Sequence, residues 1–332
     1  MLKAAVIGVG SMGRNHARVY RELPDVKLVA VSDVHEPTAQ KVAHDLHVDY
    51  VTDYKQLFEQ YQPDLVSVSV PTAEHYEVVL EAIQRGIHVL VEKPIAATVD
   101  EAKLLIAAAK EHKVKLTVGH IERFNPALDE LKKRLDSGAI GDVFRVQSRR
   151  MGPFPARIRD VGVVVDLASH DVDIVRYILD TDIVRVFAET ASNIATDRED
   201  MMDAVLRCSN GVIGTLNINW VTPTKIRELT ITGTQGMFLV NYLTQELYFY
   251  ENADATDQWQ SLSILKGVSE GTLIRPNIQR QEPLRRELES FVEAVQNEHD
   301  PLVSGLDGMK ALQIAQAIVR SGLEQQIITI EN

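Results

Sequence analysis

The chain has 332 residues, 45% of them apolar and 25% charged, so it is long enough for two buried cores and neither a disordered nor a fibrous protein fits. Its formal net charge of −12 argues against a sequence-independent grip on nucleic acid or anionic lipid, both of which need excess Lys and Arg. Cys208 is the single cysteine, which excludes an intrachain disulfide and any zinc site built from several cysteines.

Met1-Leu2-Lys3 runs straight into an apolar segment without the charged head and cleavage site of a signal peptide, and no uncharged stretch reaches the ~18 residues of a spanning helix. A cytoplasmic protein is expected. From the N-terminus, β-branched runs at 4–7, 28–31, 65–68, 89–91 and 116–118 alternate with amphipathic stretches at 13–22, 36–45, 75–85 and 99–111. Strand-helix alternation of this kind predicts a doubly wound parallel sheet, a Rossmann-type domain over 1–119.

Gly8, Gly10 and Gly13, with Ser11 and Met12 between them, lie where the first strand passes into the first helix. In that setting Gly8 permits a tight turn, Gly10 lets backbone amides approach a pyrophosphate, and Gly13 allows close helix packing. An anion then sits at the positive end of the helix. Asp33 ends the second strand at the spacing of the carboxylate that accepts hydrogen bonds from a ribose. It would repel a 2′-phosphate, and Val34 and His35 supply no arginine to hold one, so NAD is favoured over NADP. A turn with no ligand, or one serving another nucleotide, is the alternative. Glu92-Lys93-Pro94 follows the strand at 89–91, at the carboxyl edge where open α/β sheets place ligands. Lys93 there can bring its charge to an alkoxide or to a ribose, unless it is a solvated surface lysine.

After Gly119 the rhythm changes to a helix at 126–135, a strand at 143–150, a loop at 151–155 and a helix at 162–179. Alternating segments at 184–189, 204–208, 212–220, 228–232, 237–241 and 247–250 follow, with turns such as Asn210-Gly211 and Gln235-Gly236 between them. They predict a large, mostly antiparallel open sheet. Helices at 283–297 and 305–322 close an α+β domain over 120–332. Leu216, Ile218 and Trp220 alternate onto one face of that sheet, a candidate dimer surface if exposed.

On a regular helix, Asp166, His170, Asp173 and Tyr177 share a stripe roughly 60° wide, opposite an apolar face that only Asp171 interrupts. A histidine flanked by carboxylates is a tunable base, and Asp166 can hold His170 in the tautomer that accepts a hydroxyl proton. A solvated helix face or a zinc site are the alternatives, though no third metal ligand is near. Arg145, Arg149, Arg150, Arg157 and Arg159 reverse the sign of the chain locally and suggest an anion site, because guanidinium forks match phosphate oxygens. A strand face paired with acids elsewhere would look the same.

Gly8 to Gly13, Asp33, Pro71-Thr72 with His75, Glu92-Lys93-Pro94, Arg123-Phe124-Asn125-Pro126, and Asp166 with His170 together resemble the Gfo/Idh/MocA oxidoreductases over essentially the whole chain. Pro71-Thr72 reverses the commoner Thr-Pro order. The resemblance implies a Rossmann domain followed by an open-sheet domain, with Lys93 catalytic and the Asp166/His170 pair carrying the proton chemistry. It implies NAD contacts at Pro71, Thr72, His75 and Glu92, and a homodimer or homotetramer formed through the second sheet.

Residues 119–126, 149–155 and 159–167 narrow the likeness to the branch that oxidises the C3 hydroxyl of UDP-N-acetylglucosamine. Arg123, Arg149, Arg150, Arg157 and Asp173 are then the expected substrate-binding residues. An inositol or UDP-sugar-acid dehydrogenase keeps the same chemistry, whereas an NAD-assisted glycosidase or a non-catalytic dinucleotide sensor does not.

Overall fold

Apolar runs too short for helices and too β-branched for loops become the strands of the first unit, and the amphipathic stretches between them cover both faces. The computed structural model describes residues 1–154, 161–194, 198–253 and 269–331. They form two units, one of Met1–Phe124 with Glu282–Gln313, the other of Asn125–Gln281 with the chain from Ile314 on. The expected single cut between 1–119 and 120–332 therefore misses a return: residues 282–313 belong with the first unit.

In that unit the chain runs β1 (Leu2–Ile7), α1 (Gly13–Glu22), β2 (Val26–Ser32), α2 (Glu36–Leu46), β3 (Asp49–Val51), α3 (Tyr54–Tyr61), β4 (Leu65–Val68) and α4 (Thr72–Gln84). β5 (His88–Val91), α5 (Val99–Glu111), β6 (Leu116–Val118) and a 3₁₀ turn (Ile121–Phe124) follow. All six strands are parallel in the order β3-β2-β1-β4-β5-β6, so the order reverses between β1 and β4. Ligands of such sheets bind outside the carboxyl ends at that reversal. β3 and α3 were not expected from the sequence. β3 has only three residues, and α3 starts at Asp53, whose side chain accepts from Lys55 N at 2.8 Å. Thr98 and Glu101 complete a capping box on α5.

The second unit holds α6 (Pro126–Asp136), β7 (Val143–Pro153), a π turn (Val164–Ala168), α7 (Ser169–Leu179), β8 (Ile183–Ala191), β9 (Met201–Cys208) and β10 (Ile213–Asn219). β11 (Val221–Gly233), β12 (Gly236–Asn241), β13 (Glu246–Ala253) and β14 (Ser269–Ile274) come next. α8 (Pro283–Gln296) lies in the first unit, the chain passes into the second within α9 (Gly305–Glu324), and β15 (Ile328–Thr329) ends it. The nine-stranded sheet has the order β14-β13-β12-β11-β7-β10-β9-β8-β15. Among the described residues its one parallel pair is β7 with β10.

β7 continues to Pro153, through most of the segment expected to be a loop. Leu216, Ile218 and Trp220 are 2%, 0% and 4% exposed, so that face is core and not a dimer surface. The other face shows Val205 and Ile213 to solvent. Among the described residues no helix is long and apolar enough to cross a membrane.

Candidate active site

The glycine-rich turn is built by three different constraints. Gly8 has φ +79°, and a Cβ there would lie 2.7 Å from the Ser69 carbonyl carbon. A Cβ on Gly13 would lie 1.8 Å from the Gly8 carbonyl oxygen, so this glycine closes the turn on itself. A Cβ on Gly10 meets nothing within 4 Å, which leaves open space at the start of α1 for a ligand. No side chain caps α1; Arg14 N, Asn15 N and His16 N donate to the Gly10 and Met12 carbonyls, so the N–H groups placed for an anion are those of the turn ahead of them.

Asp33 is fixed at the rim of the same opening. Its Oδ2 accepts from Val9 N and its Oδ1 from His35 N, each at 2.9 Å. The spare lone pairs of both oxygens face outward as acceptors for ribose hydroxyls. A cleft of about 720 Å³ is lined by Gly10, Ser11 and residues of α1 and α2 that include Arg14 and Lys41. These cations were missed in the sequence, although Arg14 and Arg18 already share one face of α1. The open cradle at Gly10, the acceptor at Asp33 and the cationic wall together fit NAD.

Pro71 precedes α4 as its N-cap position and is exposed, while Thr72 opens the helix half-buried. His75 and Glu92 turn inward. His75 is 1% exposed, with Nδ1 2.8 Å from the Pro94 carbonyl oxygen and Nε2 3.0 Å from that of Val70. Burial holds its pKa below the ordinary histidine value, against the pull of both carbonyls. It braces the turn that carries Lys93 and offers no nitrogen to a cofactor.

Glu92 Oε1 lies 2.9 Å from His16 Nε2, and Glu92 Oε2 accepts from Lys93 N at 3.3 Å. His16 Nδ1 lies 3.0 Å from Ser67 Oγ, which in turn meets the Tyr20 hydroxyl at 3.0 Å. The motif thus points its carboxylate into the fold and leaves Lys93 half-buried at the edge of the sheet. The Lys93-Pro94 peptide is cis.

Arg123, expected at the substrate, is instead 3% exposed in the first unit. It pairs with Asp307 at 3.1 Å and donates to the Leu302 carbonyl at 3.2 Å. Burial opposes ionisation of Asp307, but the Arg123 charge and the Ser304 hydrogen bonds outweigh it and lower its pKa to about 2.

In the second unit, Asp166 lies in the π turn and His170 in the first turn of α7, both half-buried. The expected helix at 162–179 is therefore not regular at 100° per residue. The inserted π turn rotates Asp166 relative to His170, and such turns recur at functional sites. Asp173 is fully buried, so it belongs to the core side of α7 and not to an open polar stripe. Asp171, the residue without a place in the amphipathic pattern, accepts from Ser148 Oγ at 2.5 Å and from Arg150 Nε at 2.6 Å.

That pairing takes Arg150 out of the expected arginine cluster. Arg150 is 3% exposed and its guanidinium lies 5.2 Å from the Tyr242 ring centroid, beneath the sheet. Arg149 points to the other face and pairs with Glu228 at 3.1 Å. Neighbouring residues of a strand face opposite ways, so the two guanidinium groups cannot share one phosphate. Arg157 and Arg159 lie outside the described residues. No group of three or more His, Cys, Asp or Glu among the described residues could hold a metal ion.

A family model described as an oxidoreductase family with an NAD-binding Rossmann fold matches residues 2–120, and a second, for a GFO/IDH/MocA C-terminal domain, matches residues 128–239. The chain is 28% identical over 314 residues to UDP-N-acetylglucosamine 3-dehydrogenase of Acidithiobacillus ferrooxidans, covering 95% of each chain. It is also 28% identical over 335 residues to scyllo-inositol 2-dehydrogenase (NAD(+)) of Bacillus subtilis, covering 96% of this chain and 94% of the other. The solved structure of the Acidithiobacillus ferrooxidans enzyme superposes with a TM-score of 0.85, covering 96% of this chain and 97% of that one.

Proposed function

The chain belongs to the Gfo/Idh/MocA oxidoreductase family, an NAD-dependent dehydrogenase acting on a CH–OH group, and from that membership we propose that its substrate is a nucleotide sugar oxidised at C3, UDP-N-acetylglucosamine foremost. The observation that carries this reading is likeness over nearly the full length of both chains to an enzyme named for that reaction. NAD, held by the turn at Gly10 and by Asp33, supplies the hydride acceptor. His170 takes the hydroxyl proton. Asp166 favours the imidazolium that results and orients the ring toward the hydroxyl. Lys93 carries its charge to the oxygen as negative charge develops there.

One observation favours a second substrate class. Arg123 and Arg150 are committed inside the fold, and Arg149 lies on the opposite face of the sheet from Arg150 and pairs with Glu228, so these three form no common diphosphate site. An inositol, which has no diphosphate, would need none of them, and the likeness to the inositol enzyme is as high. A panel of UDP-sugars and inositols followed by NADH absorbance separates the readings. Turnover of UDP-N-acetylglucosamine with kcat/KM well above that of any inositol is expected, and the reverse order overturns the nucleotide-sugar reading.

We also propose that the sheet face bearing Val205 and Ile213 joins copies of the chain in solution.

A further inference from the structure

α8 carries a carboxyl group into the apolar interior of the first unit. Glu287 is 2% exposed, and among the described residues neither of its oxygens has a hydrogen-bond partner. Leu284, Leu288 and Phe291 of the same helix pack in one core with Tyr20 and Leu90. α8 packs on α1 and on the 3₁₀ turn. The ionisable side chains of that neighbourhood are the buried His16 and Tyr20 on α1, the half-buried Glu92 after β5, and the buried His120 and Arg123 at the turn. Arg123 is committed to Asp307, and Arg286 of α8 donates to the Phe124 carbonyl. His16 is committed to Glu92, and no cation pairs with Glu287 among the described residues.

Glu92 is differently placed. Burial works against its charge, but the His16 hydrogen bond and charge, followed by the Lys93 charge and N–H, outweigh it and hold Glu92 below the usual carboxylate range. Burial first, and then the Glu92 charge, push Glu287 well above that range. Of the two carboxyls the one with donors takes the charge, and the one buried without any keeps its proton.

We propose that Glu287 is a positioning residue that acts through Glu92: as the neutral acid of the pair, it leaves Glu92 to carry the single negative charge beside Lys93. The catalytic part of this inference rests on the reading of Lys93 as a reacting group. The proton on Glu287 does not. When alkali removes that proton, a second negative charge appears where no donor meets it, and the balance among Glu92, His16 and Lys93 is upset.

The sign follows from the raised folded-state pKa. The protonated form stabilises the fold at low pH, and this contribution is lost as pH rises through the folded pKa. Glu287→Gln keeps the shape and is neutral at every pH. Infrared difference spectra of wild type minus E287Q at pH 7 should show the C=O stretch of a protonated carboxyl. The melting temperature of wild type should fall relative to E287Q as pH rises from 6 to 9. In kinetics, the alkaline fall of kcat should move up by about one pH unit in E287Q with KM for NAD unchanged.

A missing infrared band, or a melting difference independent of pH, overturns the proton on Glu287. A band with superimposable kcat–pH profiles overturns its positioning role. Should E287Q fail to fold, Glu287→Met serves the same comparison, since an apolar residue of similar volume suits a buried site. Wild-type turnover in Lys93→Ala overturns only the reading of Lys93, because the infrared and melting measurements do not depend on it.

Discussion

Gly8 and Gly10 respond to alanine in opposite ways. Gly8→Ala places a methyl 2.7 Å from backbone at φ +79°, so little folded protein is expected on expression. Gly10→Ala meets no protein atom within 4 Å and should melt like wild type while binding NAD at least tenfold more weakly by calorimetry. Equal NAD affinity would remove Gly10 from the cofactor site. Lys93→Ala and His170→Ala should each lower kcat by ~10² to 10⁴ with NAD affinity retained. Asp307 allows a pH test. Its pKa is lowered to about 2, so its pairing with Arg123 stabilises the fold above the ordinary carboxylate pKa and is lost as pH falls toward 2. Asp307→Asn should therefore cost on the order of 2 kcal/mol at pH 7, and less as the pH drops below 4. These glycines and Asp33 were legible in the sequence because backbone geometry fixes them locally. Arg123 was misread as a substrate ligand because its partner Asp307 is remote in sequence.

At the scale of elements, β7 and α7 correct each other's expected roles. The strand's alternation sends Arg149 and Arg150 to opposite faces, and the buried one meets the aspartate that spoiled the helix pattern. Asp171→Asn leaves a buried guanidinium without its counter-charge and should destabilise the protein by about 3–5 kcal/mol in urea titrations. A loss below 1 kcal/mol would mean that Arg150 is free to serve an anion after all. The starts of α5 and α6 match the expected ones, with Thr98 and with Asn125, which accepts from Ala127 N at 3.1 Å, as their caps, but the capped start of α3 at Asp53 was missed. The π turn at Val164–Ala168 was not, because nothing in the residue types of an apolar run announces one extra residue in a turn.

For the whole molecule, residues 282–313 decide what can fold alone. Leu284, Leu288, Phe291 and Val292 fill the same core as Ala4, Val6 and Leu90. A fragment ending at residue 124 should therefore expose that core and aggregate, whereas joining 1–124 to 282–313 by a short linker should restore a cooperative melt. Cooperative folding of 1–124 alone would contradict the division. Light scattering tests the outer sheet face: a dimer or larger at micromolar concentration is expected, and a strict monomer would end that proposal.

The sequence by itself determined the alternation of strand and helix, the parallel first sheet, the glycine turn with Asp33 and the edge position of Lys93. Each depends on residues near in the chain or on a period that the backbone imposes. The tertiary structure alone decided that α8 returns to the first unit, that Arg123 and Arg150 are bound inside the fold, that His75 and Glu92 brace the turn around Lys93, and that Glu287 lies buried near Glu92. Those outcomes depend on which charges lose water and which partners meet them. Partners far apart in the chain are brought together only by packing.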